Sequence, residues 1–344
     1  MVDIAQRAGV SLSTVSYALS GKRRISEPTR LRVLAAMAEL DFQPHAVGRA
    51  LASRRSHTIA LLYPSSPQGL AEMPLEFVLS AVEAASKHGY SFRLSTTPDE
   101  DQEILRMIRQ GFVDGLILME IKLHDPRVEL LRASNYPFTL IGHCAENEGV
   151  HYVDLDFEHA QQAAVDHLAD LGHRRIVLVG REQALHDEGY GPSVRSAASF
   201  TRACQARGVT GEIIFCESIP RSGYDVIHAR IATEPAPSAI IVLNSEAIGG
   251  IMRAIHDHGL CVPDELSIVA VTSRRIAELI TPPLTTMDFP AADMGRMGVE
   301  LLIRQLEGGG REEPAQSLLR AQLSVRRSSG PNRASGRVAL AATR

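Results

Sequence analysis

From residue 57 onward the sequence alternates short apolar runs with amphipathic segments of helical length. The apolar runs include TIALLYP, DGLILME, HRRIVLVG and SAIIVLN, and the segments between them include LEFVLSAVEAASKHGY and FEHAQQAAVDHLADLG. Such runs are typical of strands buried on both faces, and strand–helix alternation favours a mostly parallel sheet covered by helices. Because a second series begins near Val150, the sequence predicts two similar subdomains with a ligand cleft between them.

The first 57 residues have a different composition. They contain nine Lys or Arg against four Asp or Glu, whereas the whole chain has a formal net charge of −4. A basic N-terminal segment on an acidic chain is typical of a polyanion-binding domain attached to a different domain. The alternative is that these charges form an ordinary solvated surface.

Three helices are predicted in this basic N-terminal segment. Ile4, Ala5 and Ala8 form one apolar stripe that Gly9 interrupts. Ser11 is placed to cap a second helix, whose inward residues are Val15, Ala18 and Leu19. Ser26 is placed to accept a first-turn amide in a third helix, with Pro28 in its first turn. The predicted amphipathic repeat of this third helix consists of Leu31, Leu34, Met37, Ala38 and either Leu40 or Asp41.

The second helix has an outward face suited to a DNA groove. This face carries Leu12, Ser13, Ser16 and Tyr17, with Thr14 beside them. Its small side chains let a helix enter the major groove, and its hydroxyls reach phosphates or base edges. The basic loop GKRR follows directly and favours DNA over the alternative, a surface helix in any small bundle.

A possible hinge follows the third helix. Pro44 ends that helix, and residues 46–52 have the composition of one further short helix. Seven residues form a marginal helix in isolation. The segment is therefore either a linker that folds on docking or an unstructured tether.

The stretch VDIAQRAGVSLSTVSYALSGKRRISEPTRLRVLAAMAELDFQPHAVGRALAS resembles the N-terminal headpiece of the LacI/GalR family of bacterial transcriptional repressors. The resemblance implies base reading by Leu12, Ser13 and Tyr17. It places hinge and minor-groove contacts at His45, Arg49 and Leu51, where Leu51 matches a leucine wedged into the operator centre. The phosphate contacts expected from the resemblance and the basic loop are Ser11, Thr14, Ser16, Ser20, Lys22, Arg23, Arg24, Ser26 and Thr29. The family usually has a Thr or Ser cap before the position of Val2, so the start codon is expected upstream.

Residues 58 to 327 resemble the effector-binding core of the same family, whose fold is like that of periplasmic sugar-binding proteins. The quoted matches are VDLDFEHAQQAAVDHLADLGHRRIVLVG, SAIIVLNSEAIGG and the C-terminal stretch containing PPLTT. The resemblance implies that Asp156, Arg195 and Asn244 face the cleft, and Thr272 is a fourth expected effector contact. Helix capping is the alternative for Asp156, and holding a loop at the strand end is the alternative for Asn244. Thr272 stands where sugar- and purine-binding members have an Asp. An ordinary sugar is therefore disfavoured, and another metabolite or no effector remains open.

Other classes of protein lack support in the sequence. GxGxxG after a strand, GxxxxGKS/T, GxSxG and HExxH are absent, so no catalytic residue or cofactor is predicted. The four cysteines have no CxxC pair or suitably spaced His, so no metal site is predicted. No apolar run reaches 18 residues and no secretory signal is recognisable, which predicts a cytoplasmic protein without a membrane partner.

The predicted fold class is a small all-α helix-turn-helix headpiece plus an α/β periplasmic-binding-protein-like core of two parallel-sheet subdomains. The predicted domains are a headpiece at 1–44, a hinge helix and linker at 45–57, an effector-binding and dimerisation core at 58–327, and a disordered tail at 328–344. The predicted function is a regulator, as a homodimer or higher even oligomer, that represses transcription from a near-palindromic double-stranded operator under a small-molecule effector. The rivals are an effector-independent regulator, a metabolite-binding protein without specific DNA binding, and an enzyme.

Overall fold

The structure is a computed structural model. It describes residues 2–20, 25–40, 55–63, 72–96, 100–308 and 313–333. The predicted hinge residues His45, Arg49 and Leu51 lie outside these ranges.

Three helices form the N-terminal headpiece. They are α1 (Val2–Ala8), α2 (Leu12–Ser20) and α3 (Glu27–Glu39). Their shared core consists of Ile4, Ala5, Ala8, Val15, Val33, Ala36 and Met37, with Val10 and Ala18 packed against it. The predicted inward stripe of α1 is therefore confirmed, as is the inward position of Val15 in α2.

The predicted inward face of α3 is wrong except at Met37. The structure buries Val33 and Ala36 beside Met37, whereas Leu31 is 58% exposed and Leu34 is 44% exposed. Of the other predicted members, Ala38 and Leu40 are also exposed, and Asp41 lies outside the described residues. Apolar residues surround this helix on most sides, so their spacing in the sequence does not identify the packed face.

The predicted cap of α3 differs in its hydrogen bond. Ser26 occupies the N-cap position and Pro28 lies in the first turn, as predicted, but the Ser26 side chain makes no cap bond. Its Oγ instead lies 2.7 Å from Oγ1 of Thr29. The Ser26 hydroxyl thus bonds to the Thr29 side chain in place of a backbone amide of the first turn.

One six-stranded sheet organises the N-terminal subdomain. All its strand pairs are parallel, in the order β11-β5-β4-β3-β1-β2. The strands are β1 (Thr58–Leu62), β2 (Ser91–Ser95), β3 (Gly115–Leu118), β4 (Phe138–Ile141), β5 (His151–Leu155) and β11 (Gln316–Leu319). The helices are α4 (Glu72–Lys87), α5 (Glu100–Gln110), α6 (Pro126–Ser134) and α13 (Ala291–Glu307).

A second six-stranded sheet organises the C-terminal subdomain. Its order is β12-β10-β9-β8-β6-β7, and only the edge pair of β10 with β12 is antiparallel. The strands are β6 (Arg175–Gly180), β7 (Thr210–Phe215), β8 (Ala239–Val242), β9 (Ser267–Thr272), β10 (Thr285–Asp288) and β12 (Gln322–Ser324). The helices are α7 (Phe157–Asp170), α8 (Gln183–Asp187), α9 (Gly191–Arg207), α10 (Pro220–Ile231), α11 (Ile248–Asp257) and α12 (Arg274–Leu279), with a 3-10 turn at Ser245–Ala247.

The two sheets confirm the predicted fold class of the core. The chain crosses between them three times, after β5, after β10 and after β11. α13 thus returns to the N-terminal subdomain and packs closely on α4, where a Cβ on Gly295 would lie 2.4 Å from the carbonyl oxygen of Phe77. The carboxyl ends of the central parallel strands in both sheets therefore flank a common cleft.

The end of the described chain is ordered where the sequence predicts disorder. Ser328 is fully buried. Its Oγ donates to the carbonyl of Ile268 at 2.7 Å and accepts the amide of Thr285 at 2.7 Å. The disordered-tail prediction is therefore wrong for residues 328–333, because hydrogen bonds to two core strands offset their low apolar content. Residues 334–344 lie outside the described ranges.

Two classes of feature are absent from the described part of the chain. None of its helices is long and apolar enough to cross a bilayer. It also contains no group of three His, Cys, Asp or Glu residues arranged to hold a metal ion.

Candidate functional site

The first turn of α2 is held by a cluster of hydroxyl groups. Ser11 Oγ accepts the amide of Thr14 at 3.1 Å, so the predicted cap exists. The same Oγ lies 2.8 Å from the hydroxyls of Ser13 and Thr14. A helix N-terminus carrying free amides and hydroxyls is suited to an anionic group such as phosphate.

The same turn presents the residues expected to read bases. Leu12 is 50% exposed and Ser13 is also exposed, while Tyr17 is half-buried one turn further along the face of Ser13. Val15 is buried on the opposite side, which fixes the rotation of the helix. An exposed leucine in an otherwise capped first turn is available for apolar contact with a ligand.

The other predicted DNA contacts are described only in part. Ser26 and Thr29 lie together at the start of α3. Ser16 and Ser20 lie on α2, but their side chains are not described. Lys22, Arg23 and Arg24 lie outside the described residues, so their roles stay predictions.

Asp156 caps a helix at the first crossover between the subdomains. Its Oδ1 accepts the amide of His159 at 2.9 Å, and its Oδ2 lies 3.7 Å from Arg320 on another crossover. The capping alternative is therefore present in the structure, and ligand contact by Asp156 stays a prediction.

Asn244 lies just after β8, and Thr272 is the last residue of the neighbouring strand β9 in the C-terminal subdomain. Asn244 is fully buried and donates from Nδ2 to the carbonyls of Cys216 at 3.1 Å and Glu217 at 3.3 Å. Its Oδ1 has no hydrogen-bond partner among the described residues. Ser245 donates to Thr272 Oγ1 at 2.9 Å, so two neutral hydroxyls occupy positions where the family resemblance suggests acids.

Arg195 joins the two subdomains at a different place. Its Nη2 donates to the carbonyls of His143 at 2.9 Å and Cys144 at 3.0 Å, and its Nη1 lies 4.0 Å from Asp154. Burial lowers the pKa of Arg195, and the carboxylate of Asp154 opposes that change. Arg195 therefore links the two subdomains, and none of these contacts is to Asn244 or Thr272.

The sequence reasoning missed a charged cluster that spans the cleft. Arg181 Nη1 lies 2.9 Å from Oε2 of Glu120, and Tyr190 donates to Oε1 of the same carboxylate at 3.1 Å. The Arg181 guanidinium also lies over the Tyr190 ring, 5.2 Å from its centroid. Glu120 follows β3 and Arg181 follows β6. The sequence signal for this cluster was therefore the presence of charged residues directly after two apolar runs.

Further carboxylates surround this guanidinium. Glu182 lies 3.4 Å from Arg181 Nε and accepts the amide of Ser218 at 3.0 Å. Burial opposes the charge of Arg181, but the carboxylates, with Glu120 first, raise the pKa of its guanidinium overall. Burial raises the pKa of Glu246, and Arg181 only partly counteracts this.

Backbone contacts connect the subdomains beside this cluster. The amide of Leu123 donates to Gly189 at 2.8 Å, and the amide of Gly191 donates to Ile121 at 2.9 Å. Lys122 adds an ion pair with Glu188 at 2.7 Å. A change in the angle between the subdomains would therefore break these two backbone hydrogen bonds and the ion pairs next to them.

Both parts of the chain match described protein families. Residues 1–45 match bacterial regulatory proteins of the lacI family. Residues 165–329 match the periplasmic binding protein-like domain.

Full-length relatives extend this similarity. The HTH-type transcriptional regulator AglR of Rhizobium meliloti (strain 1021) is 29% identical over 340 residues, covering 96% of this chain and 94% of the relative. The ribose operon repressor of Escherichia coli (strain K12) is 27% identical over 315 residues, covering 89% and 92%.

Solved structures show the same arrangement of domains. A complex of the transcriptional regulator CelR with cellobiose has a TM-score of 0.72 and 26% identity, covering 95% of this chain and 98% of that one. The lac repressor dimer bound to operator and the anti-inducer ONPF has a TM-score of 0.80 and 24% identity, with the same coverage. The headpiece, the two-sheet core and the relatives agree: the chain joins a lacI-family helix-turn-helix domain to a periplasmic binding protein-like domain, and its relatives are LacI-family transcriptional regulators.

Proposed function

We propose that this protein represses transcription by binding a near-palindromic operator as a homodimer, under the control of a small molecule in the interlobe cleft. The observation that carries the proposal is the exposed first turn of α2, where Leu12 and Ser13 stand on a headpiece attached to a two-subdomain core. In this role the protein acts in the cytoplasm, where the bacterial chromosome lies.

The proposed DNA contact places α2 in the major groove. Leu12 offers apolar contact to a thymine methyl group, Ser13 offers a hydroxyl, and Tyr17 offers one hydroxyl and a ring. The hydroxyl cluster around Ser11 and the basic loop of Lys22, Arg23 and Arg24 supply phosphate contacts. Phosphate contacts fix the register and bring salt dependence, while the base contacts bring sequence preference.

An apolar stripe on α4 is the proposed dimer surface in the N-terminal subdomain. Leu75 is 40% exposed, Leu79 57% and Val82 42%. Their spacing puts them on one face of α4, opposite Phe77 and Ala81, which pack in the core. A second copy covering this stripe gives a twofold dimer, whose two headpieces match two symmetric half-sites.

The proposed switch couples the cleft to the hinge. A ligand that binds better to one angle between the subdomains shifts the population toward that angle. The contacts of Arg181 with Glu120 and of Arg195 with His143 and Cys144 change with this angle. The dimer surface moves with them, and the segment 46–52 then gains or loses its helix.

Selection of bound duplexes from a random pool tests the proposal. The full-length protein in about 0.15 M salt is expected to enrich a near-palindrome with two related half-sites. Enrichment of no common sequence would contradict the proposal, because a metabolite-binding protein with a simple N-terminal tether has no base preference.

A further inference from the structure

The charged cluster around Arg181 contains more negative than positive charge. Arg181 forms ion pairs with Glu120 and Glu182, and its charge also acts electrostatically on the Glu246 carboxylate. Glu120 and Glu182 lie 2.9 Å and 3.4 Å from Arg181, respectively. One guanidinium thus faces three carboxylates, which leaves a formal surplus of two negative charges in a largely desolvated place.

The neighbouring cations are already paired. Arg127 lies 2.7 Å from the buried carboxylate of Asp125. Lys122 pairs with Glu188 at 2.7 Å, and Arg195 faces Asp154 at 4.0 Å. The segments 64–71 and 97–99, which follow β1 and β2, contain no Lys or Arg in the sequence. The chain therefore brings no further cation to this edge from those segments or from these three residues.

Hydrogen-bond acceptors without donors provide a second, independent observation. Asn244 is fully buried, and its Oδ1 has no partner among the described residues. Its Nδ2 donates to the carbonyls of Cys216 and Glu217, so Oδ1 lies on the opposite edge of the amide group. Glu182 Oε1 holds the amide of Ser218, and its Oε2 accepts no hydrogen bond, although Arg181 Nε lies 3.4 Å from it. Both acceptors border the same segment, Cys216 to Ser218.

A buried acceptor that lacks a donor is costly, and a carboxylate that lacks a counter-charge is costlier still. Both costs disappear if a bound molecule supplies N–H donors and positive charge. The hydroxyls of Thr272 and Ser245 hydrogen-bond to each other and carry no charge, so they do not favour an anionic ligand.

We infer that the effector of this regulator carries a protonated amine, and that its ammonium group binds in the cleft between Glu182, Glu246 and the Oδ1 of Asn244. This inference rests on the proposed function, because it names the ligand class of the same cleft. Arg181 is the internal cation of the free protein, and the amine is the second one, supplied by the ligand.

Thermal unfolding with chemically matched compounds tests the inference. Each amine in a panel is measured beside its hydroxyl and carboxylate counterparts at pH 7: glucosamine with glucose and glucuronate, and putrescine with 1,4-butanediol and succinate. At least one amine is expected to raise the Tm of the full-length protein where its neutral and anionic counterparts do not. A rise confined to neutral or anionic compounds, or no rise with any amine, overturns the inference.

Three variants locate the effect. Glu182→Gln keeps the Oε1 acceptor for Ser218, and Glu246→Gln keeps the side-chain shape, but each removes one charge. Both are expected to lower the affinity for the active amine at least tenfold, whereas Glu158→Gln, on an exposed side chain of α7, leaves it unchanged. An equal affinity in all three variants overturns the assignment.

The free protein gives a readout that needs no ligand. Burial raises the pKa of the Glu246 carboxyl, so its charge is costly in the folded protein at pH 7. Glu246→Gln is therefore expected to raise the Tm without ligand, whereas the loss of a residue with a purely structural role would lower it. Duplex selection with the wild-type protein is scored separately. A protein that selects an operator but ignores amines refutes only the ligand class, and one that selects no operator refutes the proposed function.

Discussion

The Arg181 guanidinium in the C-terminal subdomain lies 2.9 Å from the Glu120 carboxylate in the N-terminal subdomain, and the Tyr190 hydroxyl donates to the same carboxylate. The side chain of Arg181 is 26% exposed and that of Glu120 is 19% exposed, so solvent screens this pair only in part. Solvent screens it less than the Lys122–Glu188 pair across the same cleft, whose side chains are 38% and 56% exposed.

Arg181→Met is expected to lower the free energy of unfolding by about 2–4 kcal/mol, because it leaves the Glu120 carboxylate desolvated without a cation. The double variant Arg181→Met/Glu120→Gln is expected to recover part of the loss, because Glu182 and Glu246 still lack the cation. Urea unfolding measures both effects. Arg274→Met is the control, because Arg274 pairs with Glu278 at 2.8 Å on the surface, and such pairs contribute at most about 1 kcal/mol. Equal losses at Arg181 and Arg274 would contradict the linking role.

Two adjacent glycines in α11 are expected to respond oppositely to alanine. A Cβ on Gly250 would lie 1.6 Å from the carbonyl oxygen of Pro220, so Gly250→Ala is expected to cost about 3 kcal/mol or more by forcing α10 and α11 apart. A Cβ on Gly249 meets nothing within 4 Å, so Gly249→Ala is expected to stabilise the protein by up to about 1 kcal/mol through helix propensity. Thermal unfolding measures both variants, and a destabilised Gly249→Ala protein would count against this packing.

The stability of the core is expected to fall in weak acid because of a buried histidine. His173 bonds to Ser238, Ser267 and the carbonyl of Gly330, and burial lowers the pKa of its imidazole. The unfolded chain therefore binds the proton first, so the free energy of unfolding decreases as the pH falls below the ordinary histidine pKa of about 6.5.

Urea unfolding between pH 5 and pH 8 checks this dependence. His173→Gln is expected to be less stable at pH 8, because its buried partners lose a ring nitrogen, and to depend less on pH below 7. His88→Gln, at an exposed position, is the matched control. An unchanged slope in His173→Gln would show that other groups cause the acid sensitivity.

The apolar stripe of α4 predicts a specific effect on oligomeric state. Leu79→Glu places a charge in the middle of the proposed interface and is expected to shift the protein from dimer to monomer at micromolar concentration. Phe112→Glu is the control, because Phe112 is similarly exposed, at 55%, but lies off the stripe. Light scattering after size-exclusion chromatography measures the mass, and a dimer that tolerates Leu79→Glu would place the interface elsewhere.

The hinge prediction separates specific from nonspecific DNA binding. If Leu51 wedges into the minor groove at the operator centre, Leu51→Ala is expected to weaken operator binding at least tenfold, or by about 1.4 kcal/mol. Nonspecific binding at low salt is expected to change little, because it depends on phosphate contacts. Gel-shift titration measures both affinities, and an equal loss on both duplexes would refute the wedge.

The sequence predicted those features that repeat along the chain. The quoted runs TIALLYP, DGLILME, HRRIVLVG and SAIIVLN each form a strand, because their Val, Ile and Leu residues are enclosed between helices. The packed face of α3 was not predictable, since apolar residues occur around most of that helix. The order of residues 328–333 depends on hydrogen bonds to distant strands, which local composition does not reveal.

The candidate sites were predictable to different degrees. The cap at Ser11 and the exposure of Leu12 follow from local sequence and are confirmed. The cluster of Arg181 and Glu120 joins residues that are 61 positions apart. Only the parallel order of the strands brings these two residues together, so no local motif marks them.

Sequence preference in the binding of duplex DNA is the most direct test of the account. The selected near-palindrome and a duplex of the same composition in permuted order are titrated with the full-length protein in about 0.15 M salt. A repressor that reads bases through α2 is expected to bind the near-palindrome about a thousandfold more tightly or better, and Tyr17→Ala is expected to reduce that ratio more than it reduces binding to the permuted duplex. Equal affinity for both duplexes would contradict base reading by α2.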